Sequence, residues 1–141
     1  MAGRGYLTGM RGVYLVAAEL SRHGLIASPT SRSAIGADIL ATDQKCSRSF
    51  SVQVKTNAKT FGFWLLSENA KKIASPTHIY VFVNLKTKKG ADENEFFVVP
   101  SRFVAENTTG SEWRAIHRTA VLPYKDKWDL LSEKRGKDSA I

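Results

Sequence analysis

The fold is decided by two stretches of sequence, Gly36-Ala37-Asp38-Ile39-Leu40-Ala41-Thr42 and Phe50-Ser51-Val52-Gln53-Val54-Lys55-Thr56-Asn57. The second stretch alternates apolar and polar residues, which is typical of a strand with one buried face. Asp38 to Thr42 predicts a short strand before it, and the polar turn between the two is short enough for a hairpin. The polar face of the second strand lies where an ordinary buried sheet would be apolar, so it calls for a functional explanation.

Gln53 and Lys55 are two residues apart and therefore project from the same face of their strand. Asp38 lies beside them if the two strands pair. The Asp38 carboxylate, the Gln53 amide oxygen and the Val54 carbonyl are ligands suited to Mg²⁺, and Lys55 could orient a water molecule that attacks a phosphate. The spacing alone equally allows a solvated strand edge with Asp38 capping a turn.

The surrounding sequence predicts an α/β (α+β) domain with a mixed sheet. Residues 11–23 carry an apolar stripe at helical spacing, namely Val13, Val16, Ala17 and Leu20. Strands are expected at 60–66, at 78–85 as a central buried strand, and at 95–99. Short helices are expected after Ser67 and Ser101, each serving as an N-cap.

The length of 141 residues suits a single domain. We expect a flexible basic arm over residues 1–10, one domain over 11–131 and a charged, frayed tail over 132–141. No apolar run approaches the ~20 residues that cross a bilayer, so no membrane association is expected. The single Cys46 fits a reducing cytoplasm.

The net charge of +8 favours a polyanionic partner. Arg32, Arg48 and Lys59 flank the polar strand in sequence and are our candidate phosphate contacts. Trp64 and Trp128 could stack on bases, although their apolar neighbours favour a core position. The scattered histidines and the lone cysteine give no zinc spacing, and no Gly-x-Ser-x-Gly elbow is present.

Several segments in this order resemble the PD-(D/E)xK nuclease superfamily. They are Gly36 to Ala41, Val52-Gln53-Val54-Lys55-Thr56, Trp64-Leu65-Leu66, Tyr80-Val81-Phe82-Val83 and Phe97-Val98-Val99-Pro100-Ser101. More narrowly, the chain is similar to small prokaryotic members with an Asp…Gln-Val-Lys-Thr signature, which resemble archaeal Holliday junction resolvases. The resemblance covers residues 10–105.

The resemblance implies a restriction-endonuclease-like fold, with a mixed four- to five-stranded sheet flanked by helices. It also implies hydrolysis of DNA phosphodiester bonds with Mg²⁺ or Mn²⁺. Asp38 would match the metal-binding Asp, Gln53 the second metal-facing position and Lys55 the catalytic Lys, while the adjoining Thr56 could contact a phosphate. Relatives of the resolvase type act as dimers, so a homodimer is compatible with the resemblance, although no residue demonstrates it.

Two positions depart from the pattern of the superfamily. Gln53 supplies no negative charge where most members have Asp or Glu. Related sequences commonly read Gly-Glu in the first helix, whereas this chain reads Gly12-Val13. Two hypotheses follow: a metal-dependent endonuclease, or a catalytically degenerate domain of the same fold that binds nucleic acid or another protein.

Overall fold

The structure, a computed structural model, describes residues 3–31 and 36–131. The strands are β1 (Ile26–Pro29), β2 (Ile39–Thr42), β3 (Ser49–Asn57), β4 (Phe63–Leu65), β5 (His78–Asn84), β6 (Thr87–Lys88), β7 (Ala91–Asp92), β8 (Glu95–Pro100) and β9 (Ala115–His117). The helices are α1 (Gly3–Arg22), α2 (Ser101–Asn107) and α3 (Arg118–Val121), with 3₁₀ turns at Glu68–Lys71, Leu122–Tyr124 and Trp128–Leu131.

The main sheet has five strands in the order β1-β2-β3-β5-β8. β1, β2 and β3 are antiparallel neighbours, β3 and β5 are parallel, and β5 and β8 are antiparallel. The mixed sheet is therefore confirmed, and so is the hairpin formed by β2 and β3. Every residue of β5 is buried, as expected of a central strand covered on both faces.

Helix α1 covers one face of the sheet. Its stripe residues Val13, Val16 and Leu20 are at most 2% exposed and pack against the side chains of β3 that include Val52 and Val54. The helix begins at Gly3, so the predicted flexible arm is wrong for residues 3–10. Once the apolar stripe of α1 has packed on the sheet, the helix can extend toward its N-terminus without a new nucleation step. This propagation outweighs the low helix propensity of the glycines.

The opposite face of β5 and β8 is covered by α2, β4 and β9. β4 was expected to extend over residues 60–66; it is shorter and pairs outside the main sheet with β9. Trp64 is 1% exposed and its Nε1 donates a hydrogen bond to the Val83 carbonyl at 3.0 Å. Trp128 lies in the core beneath α1. Both tryptophans are thus core residues, in line with their apolar neighbours.

Two predicted N-caps have different outcomes. The Ser67 hydroxyl accepts a hydrogen bond from the Asn69 backbone N–H and caps the 3₁₀ turn, as predicted. Ser101 does not cap α2, because it is the first residue of the helix. Its buried hydroxyl instead donates to the Ser75 carbonyl and accepts from the Ser75 N–H, both at 2.9 Å. Ser101 therefore ties α2 to the loop before β5.

The predicted tail over 132–141 and the candidate phosphate contact Arg32 lie outside the described residues. Among the helices that the structure describes, none is long and apolar enough to cross a membrane.

A candidate active site on the polar face of the sheet

Asp38 is held at the point where the chain enters β2. Its backbone N–H donates to the Val52 carbonyl, and its carboxylate Oδ2 accepts a hydrogen bond from the Val54 N–H, both at 2.8 Å. The carboxylate therefore takes the place of a backbone carbonyl as the hydrogen-bond acceptor of the Val54 N–H. Asp38 is 8% exposed, so this bond fixes a buried carboxylate against the middle of β3.

Two of the predicted site residues share one face of β3, and Asp38 is bonded to that strand. Gln53 and Lys55 alternate with Val52 and Val54, whose side chains pack beneath α1. Gln53 and Lys55 therefore lie on the face that α1 does not cover. Asp38 precedes the paired segment of β2, which begins where Ile39 pairs with Val52, and its two hydrogen bonds to β3 go to Val52 and Val54.

Lys55 interacts electrostatically with Asp38. Burial lowers the pKa of Lys55 below its ordinary value, and the negative charge of Asp38 partly opposes this shift. Lys55 also lines a cavity of about 340 Å³ at the end of β3. Lys55 is thus close enough to Asp38 to feel its charge and borders a cavity large enough for part of a ligand.

The donor set suits a hard divalent cation. Asp38 offers a carboxylate oxygen and Gln53 an amide oxygen, and Val54 lies next to both, through its N–H bond to Asp38 and as the neighbour of Gln53 in β3. The Val54 carbonyl is directed toward the Asp38 side, because the N–H and C=O groups of one strand residue project toward the same neighbouring strand. Oxygen donors are what Mg²⁺ prefers, and this cation is commonly held by one or two carboxylates together with substrate phosphates. The residues therefore fit Mg²⁺, with room in the coordination shell for phosphate oxygens and water.

Additional acids do not reinforce this set. Within residues 3–31 and 36–131, no group of three or more His, Cys, Asp or Glu side chains is arranged to hold a metal ion. Val13, at the position where the superfamily pattern has Glu, is 2% exposed and belongs to the core under α1. Glu19, further along the same helix, forms an ion pair with Arg22 at 3.0 Å.

Thr56 does not reach the site with its side chain. It alternates onto the α1 face, where Gly12 lies so close that a Cβ there would overlap the Thr56 hydroxyl. Thr56 Oγ1 is buried and has no hydrogen-bond partner. The phosphate contact expected of this hydroxyl is therefore not supported by its position.

The two remaining candidate phosphate contacts lie at opposite ends of β3. The Arg48 guanidinium sits 5.1 Å from the centre of the Phe50 ring, and at ~3.3 Å per strand residue it lies roughly 20 Å from Lys55. Lys59 follows the C-terminal end of β3 and lines a cavity of about 260 Å³ together with Arg11 and Lys86. Lys59 is thus at the same end of β3 as Lys55, whereas Arg48 is at the opposite end.

The sequence interpretation missed a histidine on the same face. His78 is 4% exposed, its Nδ1 lies 2.7 Å from the Ser51 hydroxyl, and its buried Nε2 has no hydrogen-bond partner. Burial lowers the pKa of His78, and the bond to Ser51 opposes this effect. The only signal in the sequence was a histidine opening an apolar strand, which does not reveal that β5 lies beside β3.

The sequence interpretation also missed a buried polar network at the ends of β3, β5 and β8. Asn57 donates to Asn84 Oδ1 at 3.0 Å, Asn84 donates to Glu95 Oε1 at 3.2 Å, and Arg118 donates to both oxygens of Glu95. The pKa of Glu95 is lowered, mainly by the hydrogen bonds from Arg118. In the sequence, each of these residues looks like an ordinary polar residue near the end of a strand. Only the folded structure brings them together.

The mixed five-stranded sheet with its flanking helices is an α+β fold, and solved structures with this fold are restriction-endonuclease-like nucleases. No protein-family model matches the chain, and no curated protein matches it in sequence. Solved structures do. One is a Holliday junction resolvase of Archaeoglobus fulgidus, at 16% identity and a TM-score of 0.51, covering 83% of this chain and 93% of the resolvase.

Another is a bacterial homing endonuclease, at 15% identity and a TM-score of 0.60, covering 96% of each chain. The predicted fold and the resemblance to the PD-(D/E)xK superfamily are thereby confirmed at the level of architecture. At sequence identities this low, the similarity supports the fold alone, and the roles of individual residues are proposals.

Proposed function

We propose that this protein is a metal-dependent endonuclease that cleaves DNA phosphodiester bonds. The observation that carries the proposal is the position of Asp38 against β3. Its carboxylate accepts a hydrogen bond from Val54, the residue between Gln53 and Lys55, its charge acts on Lys55, and Lys55 lines a cavity. A net charge of +8 favours a polyanionic substrate. Two proteins of similar fold are a Holliday junction resolvase and a homing endonuclease.

Asp38, Gln53 and the Val54 carbonyl would hold Mg²⁺ or Mn²⁺, which supplies Lewis-acid polarisation of a phosphoryl oxygen. Lys55 has two roles that its position permits. In its charged form it stabilises the negative charge that develops on the phosphate, and its N–H groups orient the attacking water. The Val54 N–H keeps the Asp38 carboxylate in place before substrate arrives, so little reorganisation is needed.

Cleavage assays on duplex, single-stranded and branched DNA with Mg²⁺ or Mn²⁺ test the proposal. We expect metal-dependent cleavage by the wild type and a loss of at least about 100-fold in Asp38→Ala and Lys55→Ala, as for groups that stabilise transition-state charge. Glu106→Gln is the matched control, because it alters an exposed acid on α2 and should leave cleavage unchanged.

The alternative function is that of a degenerate nuclease fold that binds nucleic acid without cleaving it. It is favoured by the single carboxylate among the site residues and by the buried Val13. Gln53→Glu distinguishes the two, since a second carboxylate should strengthen metal binding, measured by calorimetry, and raise cleavage if the remaining machinery is intact. DNA binding without cleavage in either metal, in both the wild type and Gln53→Glu, would refute the endonuclease proposal.

A further inference from the structure

The cavity beside Lys55 has an unusual wall. Besides Lys55, Thr56 and Asn57 it is lined by four apolar residues, namely Phe61, Phe63, Trp64 and Leu65. Phe61 is 44% exposed and Leu65 51% exposed, and the two phenyl rings lie 5.0 Å apart between centroids. Neither Phe61 nor Phe63 belongs to the buried core cluster that includes their neighbour Trp64.

This aromatic wall is held in place by the buried polar network. The Asn57 side chain donates to the Phe63 carbonyl at 3.0 Å, and the Asn84 side chain donates to the Phe61 carbonyl at 3.1 Å. The Arg118 N–H donates to the Gly62 carbonyl at 2.8 Å, which fixes the residue between them. Three consecutive carbonyls are therefore anchored to the ends of β3 and β5 and to the start of α3. A segment anchored in this way presents its rings at low cost in conformational entropy.

Three cationic side chains line a second cavity, which we call the groove. Residues 58–60 connect Asn57 to Phe61 in the chain and line this groove, which includes Arg11, Lys59 and Lys86. Among residues 3–31 and 36–131, no Asp or Glu lines either cavity, although Asp92 forms an exposed ion pair with Arg11 at 3.1 Å. An aromatic platform followed by a cationic groove is the arrangement with which proteins bind single-stranded nucleic acid.

We propose that the cavity formed by Lys55, Asn57, Phe61, Phe63 and Leu65 accepts an unpaired nucleobase, with Phe61 and Phe63 as the stacking surface. The phosphates that flank this base then face Lys55 on one side and the groove of Arg11, Lys59 and Lys86 on the other. A paired base has both faces covered by its neighbours in the duplex, so it cannot stack on these rings. The inference rests on the proposed function and names its substrate class: DNA with unpaired nucleotides next to the cleaved bond.

The test compares binding to two oligomers of equal length and charge, oligothymidylate and an oligomer of abasic deoxyribose phosphates, with EDTA present. We expect the wild type to prefer oligothymidylate by about tenfold or more, the range of base–aromatic stacking. Phe61→Ala and Phe63→Ala should bring the two affinities close together while binding to the abasic oligomer is retained. Trp113→Ala is the control, since Trp113 is 75% exposed and does not line the cavity.

Phe61→Leu and Phe63→Leu keep the apolar bulk and remove the aromatic face, so they serve if the alanine variants unfold. Equal wild-type affinity for the two oligomers would overturn the inference, as would an undiminished preference in the leucine variants. Because no metal is present, the outcome does not depend on cleavage. Loss of the preference would leave the endonuclease proposal standing, and absence of cleavage would leave a stacking site.

Discussion

The proposed chemistry depends on the electrostatic interaction between Lys55 and Asp38. Burial lowers the pKa of Lys55, and Asp38 is the charge that opposes this shift. Asp38→Asn should therefore lower the pKa of Lys55 further, because desolvation would act without an opposing anion. The measurement is an NMR titration of the Lys55 side chain in both proteins. An unchanged pKa would mean that the two groups do not interact.

The matched control for this titration is Glu106→Gln. It removes one negative charge from an exposed position on α2, and Glu106 does not contribute to the pKa shift of Lys55. The pKa of Lys55 should be the same in this variant and in the wild type. A decrease equal to that in Asp38→Asn would indicate a general effect of net charge instead of a specific pair.

At the scale of single residues, alternation predicted that Gln53 and Lys55 share one face, and the hairpin predicted that Asp38 lies close to their strand. These are local relations within about twenty residues of chain, and the strand period fixes them. The environment of Thr56 could not be obtained this way, because Gly12 meets it across 44 positions of sequence. His78 and Ser51 likewise meet only through the parallel pairing of β3 with β5.

At the scale of elements, the packing of α1 on β3 depends on a glycine at the point of contact. In Gly12→Ala the new Cβ would overlap Thr56 Oγ1, so we expect a destabilisation of about 1–3 kcal/mol, as for other overpacked cores. Thr56→Ala in the same protein removes the hydroxyl and leaves the nearest atom, the Cβ of residue 56, 2.8 Å away. The double variant should therefore recover part of the loss in urea denaturation.

Gly5→Ala provides the control within the same helix. Gly5 is exposed in α1 and an added Cβ there would meet nothing within 4 Å. Alanine has the higher helix propensity, so this variant should be more stable than the wild type by up to about 1 kcal/mol. If Gly12→Ala were as stable as Gly5→Ala, the close contact between α1 and β3 would be contradicted.

The elements that the sequence predicted well are those with a long, unbroken period. β3 and the apolar stripe of α1 were found because each repeats one pattern along its length, and β5 was found because residues 78–85 form a continuous run rich in aromatic and β-branched residues. The start of α1 was misplaced, since glycines lower the local helix propensity while the docked stripe extends the helix regardless. β4 was predicted as a strand, but its partner β9 lies 50 residues further on and has only three residues.

Glu95 connects β8 to β5 and α3, and its ionisation should contribute to stability. Its pKa is lowered in the folded protein, so the carboxylate stabilises the fold above the unfolded pKa of about 4.3 and this contribution is lost as the pH falls through the folded value. Glu95→Gln should lower the free energy of unfolding by about 1–3 kcal/mol at neutral pH. The difference from the wild type should shrink in acid.

Urea denaturation across pH measures this contribution, with Glu93→Gln as the control. Glu93 is exposed, two residues earlier in the chain, and outside the network. Its substitution should change the free energy of unfolding by no more than about 0.5 kcal/mol, as is usual for surface positions. A gap between Glu95→Gln and the wild type that persisted in strong acid would show that the ionised carboxylate is not its source.

At the scale of the whole molecule, the net charge of +8 makes some attraction to DNA inevitable. The effect on DNA binding of where the positive charges lie must therefore be separated from the effect of how many there are. Lys59 and Lys86 line the groove beside the proposed site, whereas Lys71 and Lys72 lie at the exposed 3₁₀ turn before β5 and do not line it. Replacing either pair by Gln removes the same charge. Only the first pair should remove phosphate contacts.

For duplex DNA, each lost phosphate contact reduces the slope of log affinity against log salt by ~0.9. Lys59→Gln/Lys86→Gln should therefore reduce this slope by about 1.8, measured by fluorescence anisotropy over a salt series without metal. Lys71→Gln/Lys72→Gln should leave the slope close to that of the wild type. Equal reductions in the two double variants would mean that DNA responds to net charge alone, because phosphate contacts confined to the groove can be lost only when the groove lysines are replaced.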